Sequence, residues 1–108
     1  MIVEVNETEF RKHLDEASRF AAFFHTPFCA NCTAARQMLE MALKRIPFDI
    51  KVVSANLNLM PSLAEPLQIQ SVPLLVFIKD GESAGRFSAF LRGDELYYSL
   101  VHFFGENG

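Results

Sequence analysis

Apolar and polar positions repeat with two different periods along the chain, and the changes of period predict alternating strands and helices. Residues 2–5 are rich in β-branched side chains, which favours a short strand. Asn6 and Glu9 follow with the spacing of a capping box, which predicts that a helix begins there. The buried stripe of this helix recurs at helical spacing: Phe10, Leu14 and Ala17.

The second strand and the second helix are predicted by an apolar run and a return to helical spacing. Residues 20–24 form a nearly unbroken apolar run, which is typical of a strand covered on both faces inside a parallel sheet. Pro27 keeps Thr26 extended, so the strand is expected to end before the next helix. Residues 29–45 again have apolar positions at helical spacing, and Pro47 lies just beyond them.

A third strand and a short third helix are expected in the middle of the chain. Residues 48–54 alternate in polarity and are rich in β-branched side chains, which predicts a strand. Asn58 and Pro61 have the positions of a cap and a first-turn proline, which predicts a short helix. Pro66 is expected to end or kink that helix.

The last third of the chain predicts two strands and a final helix. Residues 72–78 read as a buried strand, with Pro73 at its very start, where no ladder donor is needed. Residues 79–82 have the turn chemistry of a hairpin into a strand at about residues 84–90. Residues 94–104 have the apolar pattern of a helix. The predicted order is therefore βαβαβαββα.

Length and composition predict one soluble domain and exclude several classes of partner. The 108 residues are enough for a single domain, residues 1–108, with a hydrophobic core that needs no disulfides. A net charge of −3 provides no basic field for nucleic acid. No apolar stretch approaches the roughly 18 residues of a membrane span, and the first fifteen residues are charged rather than signal-like. We therefore expect a cytoplasmic protein that binds neither nucleic acid nor membrane.

The chain contains only two cysteines, Cys29 and Cys32, spaced C-x-x-C at the predicted start of a helix. The free amide hydrogens at a helix start stabilise a thiolate, so Cys29 is a candidate nucleophile. Cys32 lies one turn later on the same face and is placed to attack a mixed disulfide at Cys29. In a reducing compartment such a solitary pair is more often catalytic or metal-binding than structural.

With these residues the chain resembles the thioredoxin family. The matching features are a phenylalanine in the second strand, the C-x-x-C motif, an X-Pro pair that opens a later strand, and a glycine turn: Phe24, Phe28-Cys29-Ala30-Asn31-Cys32, Val72-Pro73 and Lys79-Asp80-Gly81. The resemblance implies an α/β thioredoxin fold in a single domain, with a central mixed sheet of about five strands flanked by about four helices. It also implies that the bond before Pro73 is cis.

The resemblance further implies a thiol-disulfide oxidoreductase. Cys29 would attack a substrate disulfide and Cys32 would resolve the mixed disulfide, with no metal or organic cofactor. The implied substrate-docking residues are Phe28, Ala30, Asn31, Val72, Pro73 and Ala89. Substrates would be disulfide-containing proteins or mixed disulfides with small thiols. The implied reducing partner is a thioredoxin reductase or a small thiol, and the protein is expected to be a monomer.

Two departures from the family pattern change the expected chemistry of the dithiol. The family usually has Trp-Cys-Gly-Pro-Cys, whereas Asn31 here restores a backbone donor beside the sulfurs, so we expect a dithiol less reducing than thioredoxin at about −270 mV. Phe23 occupies the position of a buried aspartate that assists the resolving thiol, and the family's neighbouring lysine, near Ala55 or Asn56, is also missing. Cys32 should therefore lose its proton less readily, which predicts slow general disulfide reduction.

A third departure concerns the surface around the motif. The family tends to have a glycine where this chain has Ala89. The predicted docking surface is therefore narrower and more apolar, with Phe28, Ala30, Val72 and Phe90 contributing to it.

Other interpretations of the motif stay open from the sequence. His25 lies four residues before Cys29 and either assists the thiolate or is simply a polar residue at a strand end, the second being favoured. A weak metal-binding module would use His25, Cys29 and Cys32, one ligand short of a closed zinc site. A thioredoxin-fold interaction module with vestigial thiols is the remaining alternative.

Overall fold

Within residues 2–105, which the computed structural model describes, five strands form one mixed sheet and three α-helices cover its faces. The strands are β1 (Ile2–Val5), β2 (Arg19–His25), β3 (Val52–Asn56), β4 (Leu74–Lys79) and β5 (Glu82–Phe87). The helices are α1 (Glu7–Glu16), α2 (Ala30–Lys44) and α3 (Gly93–Gly105). The sheet order is β1-β3-β2-β4-β5. β1, β3 and β2 are parallel, β4 is antiparallel to β2, and β5 is antiparallel to β4. The predicted mixed five-stranded sheet is confirmed.

The predicted helix between β3 and β4 is wrong, so the described part of the chain has three α-helices instead of about four. Two single-turn 3₁₀ helices, Leu57–Leu59 and Pro61–Leu63, replace it. Met60 separates them with a backbone that is neither helical nor extended (φ −144°, ψ 58°). Pro61 cannot donate a hydrogen bond back to the preceding turn, so the two turns do not merge into one α-helix.

The third strand begins later than the predicted residue 48. Val52 pairs with Ile2 of β1 on one side and with Ala21 of β2 on the other. The registered pairing on both sides therefore starts at Val52, and the alternating polarity of residues 48–51 is not enough to make them part of the ladder. The strand after the X-Pro pair likewise begins at Leu74, and β5 spans Glu82–Phe87 rather than residues 84–90.

The predicted capping box at the start of α1 is confirmed. The Glu9 backbone N–H donates to Asn6 Oδ1 and the Asn6 backbone N–H donates to Glu9 Oε1, both at 2.8 Å. This reciprocal pair satisfies two amide donors that the helix itself leaves free. Phe10 on the next turn is fully buried against the sheet.

The sheet separates two apolar layers, and successive residues of β2 contribute to them in turn. Phe20, Ala22 and Phe24 pack with α1 on one face, whereas Ala21 and Phe23 pack with α2 and α3 on the other. This explains the unbroken apolar run, since both faces of β2 are covered. None of the helices in residues 2–105 is long and apolar enough to cross a membrane.

Candidate active site

Cys29 is the N-cap of α2, directly after the short connection from β2. Its Sγ accepts a hydrogen bond from the Cys32 backbone N–H at 3.1 Å. Its carbonyl oxygen accepts from the backbone N–H groups of Cys32 and Thr33 at 3.1 and 3.2 Å. The sulfur therefore faces the amide hydrogens of the first helical turn, which favour negative charge at that atom.

Cys29 and Cys32 form a disulfide whose Cα atoms are 5.2 Å apart. The two residues differ in access to solvent, because Cys29 is half-buried whereas Cys32 is only 5% exposed. A substrate can therefore approach Cys29 far more easily than Cys32.

Phe28, directly before Cys29, is held in an unusual backbone conformation and is completely exposed. Its φ is +58°, in the left-handed region that bulky residues rarely adopt. Its ring is fully accessible to solvent, so it contributes nothing to the core. The chain thus presents a large apolar side chain beside the reachable sulfur.

The remaining candidate docking residues lie at the same end of the sheet as the cysteines. Phe24 pairs with Leu74, and continuing this antiparallel register places Pro73 beside His25. The Val72–Pro73 bond is cis. Leu75 pairs with Phe87, so the chain after β5 runs toward this end as well. Ala89, Ala30 and Asn31 are exposed, and Val72 and Pro73 are half-buried.

Phe90 does not belong to the predicted docking surface, because it is only 4% exposed. Its ring packs edge-on against Phe23 and Phe87, with centroids 5.7 Å apart in each pair. Phe90 therefore extends the apolar layer under α2 and not the surface around Ala89.

On β3 the neighbour of Phe23 is Ser54, and the expectation of Ala55 or Asn56 at that place is wrong. Both Phe23 and Ser54 are buried on the face that carries α2. The Ser54 hydroxyl accepts a hydrogen bond from Arg36 Nη1 at 3.4 Å. A neutral pair thus lies where the family pattern has a charged one.

Sequence reasoning missed a polar cluster that we call the rim cluster: Glu4, His25 and Arg36. The Glu4 carboxylate lies 2.9 Å from His25 Nε2 and 3.8 Å from Arg36 Nη1. A local signal existed for Arg36, which follows Cys32 by four residues and so lies on the same helix face. The placement of Glu4 depended on the register Glu4–Ser54–Phe23 across three strands, which local patterns do not reveal.

The rim cluster borders an open pocket of about 510 Å³ next to the disulfide. Phe23, His25 and Arg36 line this pocket together with both cysteines. In this structure His25 Nε2 faces Glu4, and the sulfurs of Cys29 and Cys32 are joined in the disulfide. Within residues 2–105 no three His, Cys, Asp or Glu side chains are placed to hold a metal ion.

The thioredoxin family model matches residues 1–101 of this sequence, which includes the entire sheet and the dithiol. The chain belongs to the thioredoxin family. Among curated proteins, Thioredoxin-like protein YusE of Bacillus subtilis is 33% identical over 78 residues, which cover 72% of this chain and 73% of that one. Thioredoxin-3 of yeast mitochondria is 25% identical over 81 residues, which cover 75% of this chain and 63% of the yeast protein.

Solved thioredoxin structures confirm the fold. A mutant thioredoxin from Halobacterium salinarum NRC-1 superposes with a TM-score of 0.78 at 20% identity, covering 94% of this chain and 89% of that one. The oxidised form of mitochondrial thioredoxin 3 from Saccharomyces cerevisiae gives a TM-score of 0.76 at 22% identity, covering 94% of both chains. At these identities the similarity establishes the thioredoxin fold alone.

Proposed function

We propose that this thioredoxin-family chain is a thiol-disulfide oxidoreductase that acts on protein disulfides or on mixed disulfides with small thiols. One observation carries the proposal: the reachable sulfur of Cys29 caps α2 and accepts the Cys32 N–H, while its partner sulfur is buried. This arrangement stabilises a thiolate at the position that a substrate can reach.

The proposed cycle transfers two electrons from the dithiol to the substrate. The Cys29 thiolate attacks one substrate sulfur, so a Cys29–substrate disulfide forms and the substrate S–S bond breaks. The other substrate sulfur leaves as a thiolate and takes a proton. Cys32 then loses its proton and attacks Cys29 Sγ, which forms the Cys29–Cys32 disulfide and releases the second substrate thiol. The dithiol is oxidised and the substrate disulfide is reduced.

The exposed residues around Cys29 would receive the substrate. Phe28 offers an apolar ring, and the half-buried Val72–Pro73 pair at the same sheet end leaves an extended substrate segment room to bind. A thioredoxin reductase or a small thiol would reduce the disulfide again. We propose that the protein acts in the cytoplasm, a reducing compartment in which a solitary C-x-x-C pair is more often catalytic or metal-binding than structural.

Two serine variants test this proposal with insulin as the protein disulfide and dithiothreitol as the reductant. Cys29→Ser removes the attacking sulfur and should abolish both turnover and covalent capture of insulin. Cys32→Ser keeps the attacking sulfur and should accumulate a mixed disulfide that mass spectrometry detects. The proposal fails if the unaltered protein reduces insulin no faster than dithiothreitol alone and the Cys32→Ser variant forms no mixed disulfide with insulin. A partner that binds equally well to Cys29→Ser would then indicate an interaction module.

A further inference from the structure

The resolving thiol of this chain lacks the usual proton acceptor beneath it. Cys32 is 5% exposed, and in the second half of the proposed cycle it must give up its proton to attack Cys29. Phe23 shares its pocket and cannot accept a proton, and the adjacent Ser54 is a neutral hydroxyl. A thiol in such surroundings resists ionisation unless a base is within reach.

His25 has the position that this step requires. Its side chain lies at the end of β2 and lines the same pocket as Cys32. Its ring stacks beside Phe23, with the centroids 5.9 Å apart and the planes 18° apart. This shared pocket of about 510 Å³ has room for several water molecules.

Glu4 fixes which nitrogen of His25 is basic. Glu4 Oε2 lies 2.9 Å from His25 Nε2, so in the neutral imidazole Nε2 carries the hydrogen and donates it to the carboxylate. Nδ1 then holds the lone pair and can accept a proton. A histidine base that is oriented by a third group through its other nitrogen recurs in sites where histidine activates a thiol or hydroxyl.

We infer that His25, oriented by Glu4, accepts the proton of Cys32 through pocket water during resolution of the mixed disulfide. This inference rests on the proposed function. The proton leaves Cys32 Sγ and arrives at Nδ1 of His25, and the thiolate attacks Cys29 Sγ. The substrate sulfur leaves with the electron pair of the broken bond. The imidazolium afterwards returns its proton to solvent or to the departing thiolate. Glu4 acts through His25 and is a positioning residue.

The charged groups around His25 come from two neighbouring elements. Glu4 of β1 faces Nε2, and Arg36 of α2 lies 3.8 Å from the other oxygen of Glu4. Glu40 of α2 lies 3.7 Å from Arg36 Nε and balances its charge. The neighbour of His25 on β3 is the uncharged Asn56. Glu4 favours the imidazolium that forms when the proton is accepted.

Stopped-flow reaction of the reduced protein with a symmetric aromatic disulfide separates the two thiol steps. Attack by Cys29 releases one coloured thiolate, and attack by Cys32 on the mixed disulfide releases the second. His25→Gln should slow the second phase by about tenfold to hundredfold at pH 7, within or just below the usual range for a general base. The first phase should change less than about twofold. His13→Gln on α1, whose ring packs on Phe20, is the matched control and should change neither phase.

The pH profile distinguishes proton transfer from a structural effect. The second phase of the unaltered protein should depend less steeply on pH than that of His25→Gln, in which only hydroxide and solvent can take the proton. A structural effect alone would slow the second phase by the same factor at every pH. Glu4→Gln should slow the second phase by a smaller factor. Added imidazole should restore the second phase of His25→Ala, because the open pocket admits it.

A second phase that is unchanged in His25→Gln, or an unaltered pH profile, overturns the role of His25. Failure of added imidazole to accelerate His25→Ala counts against proton transfer as well. The absence of a first phase in the unaltered protein has a different meaning, because it shows that Cys29 is unreactive and so removes the proposed function itself.

Discussion

Phe23 and Ser54 are paired neighbours in adjacent parallel strands, and both are buried under the face that carries α2. Compared with the thioredoxin pattern, this pair is neutral where a carboxylate and its basic neighbour are expected. In this chain the ionisable side chains near the dithiol lie in the rim cluster instead, where Glu4 is half exposed and His25 lines an open pocket. The Glu4 carboxylate therefore does not incur the desolvation free energy of a completely buried charge.

Restoring the family's acid at position 23 should be costly and pH-dependent. Phe23→Asp loses a fully packed ring, which alone costs about 3–5 kcal/mol, and it also buries a carboxyl group. Burial raises the carboxyl pKa in the folded state above its unfolded value, so the added destabilisation is absent at low pH and grows as pH rises above the unfolded pKa. Urea unfolding of the oxidised protein at pH 5 and pH 8 measures this difference.

Phe23→Asn is the control for the aspartate variant, because it has the same shape and no titrating group. Its loss of unfolding free energy should be the same at both pH values. Equal pH dependence of the two variants would show that the aspartate is solvated and that position 23 is not sealed from water.

Glycine and alanine substitutions at Phe28 should differ in stability because of the backbone conformation of this residue. Both substitutions remove the exposed ring, but only glycine adopts a φ of +58° without steric cost. Phe28→Gly should therefore be more stable than Phe28→Ala by about 1 kcal/mol in chemical denaturation. Both variants should raise KM for insulin more than KM for a small disulfide. Equal stabilities would contradict the left-handed conformation, and an unchanged KM for insulin would contradict docking on the ring.

Asn31→Pro should make the dithiol more reducing. The Asn31 N–H lies in the first turn of α2, which Cys29 caps, and proline removes this donor. Losing about 1.4 kcal/mol of thiolate stabilisation corresponds to a potential more negative by about 30 mV, measured by equilibration with glutathione. Asn31→Ala keeps the N–H and should leave the potential nearly unchanged. A potential of the unaltered protein at or below about −270 mV would refute the underlying hypothesis.

Arg86 should stabilise the loop that leads to Val72–Pro73. Its Nη1 and Nη2 donate to the carbonyl oxygens of Gln68 and Leu67 at 2.8 and 2.6 Å. Arg86→Met removes both bonds and should cost about 0.5–1.5 kcal/mol, since the guanidinium is largely exposed. Hydrogen exchange at the Ile69 amide, which donates to Ala64, should become faster.

Arg86→Lys provides the matched comparison, because it keeps the charge but cannot bridge two carbonyl groups. It should accelerate exchange at Ile69 nearly as much as Arg86→Met. If both variants leave this amide protected, the loop is held by other contacts.

The features that were predictable from sequence are those that local patterns specify. The capping box of Asn6 and Glu9, the doubly covered run of β2 and the helix-start dithiol all depend on neighbours within a few positions. The predicted start of β3 was too early, because the first residue of this strand is set by pairing with β1 and β2 and not by the alternation of apolar and polar residues. The prediction of a helix around Pro61 was wrong. A proline suits the first turn of a helix, but its missing N–H also keeps the turns Leu57–Leu59 and Pro61–Leu63 from forming one α-helix.

The candidate site was predictable only in its sulfur chemistry. Cys29 and Cys32 stand out in any reading of the chain, whereas Glu4 and His25 are 21 positions apart and meet only through the shared strand β3. A carboxylate near the start of the chain gives no local signal of a partner beside the dithiol. The register between parallel strands places residues that are distant in sequence side by side, and local sequence patterns do not specify this register.

β1 is an edge strand that is hydrogen-bonded to the sheet only through β3. Edge strands open at lower free energy than central ones, so a fraying of β1 would withdraw Glu4 from His25 while leaving the disulfide and α2 in place. The dithiol would then keep its attacking sulfur but lose the group that orients its base. The free energy of local opening of β1 would therefore influence the rate at which Cys32 resolves the mixed disulfide, although β1 lies two strands away from β2.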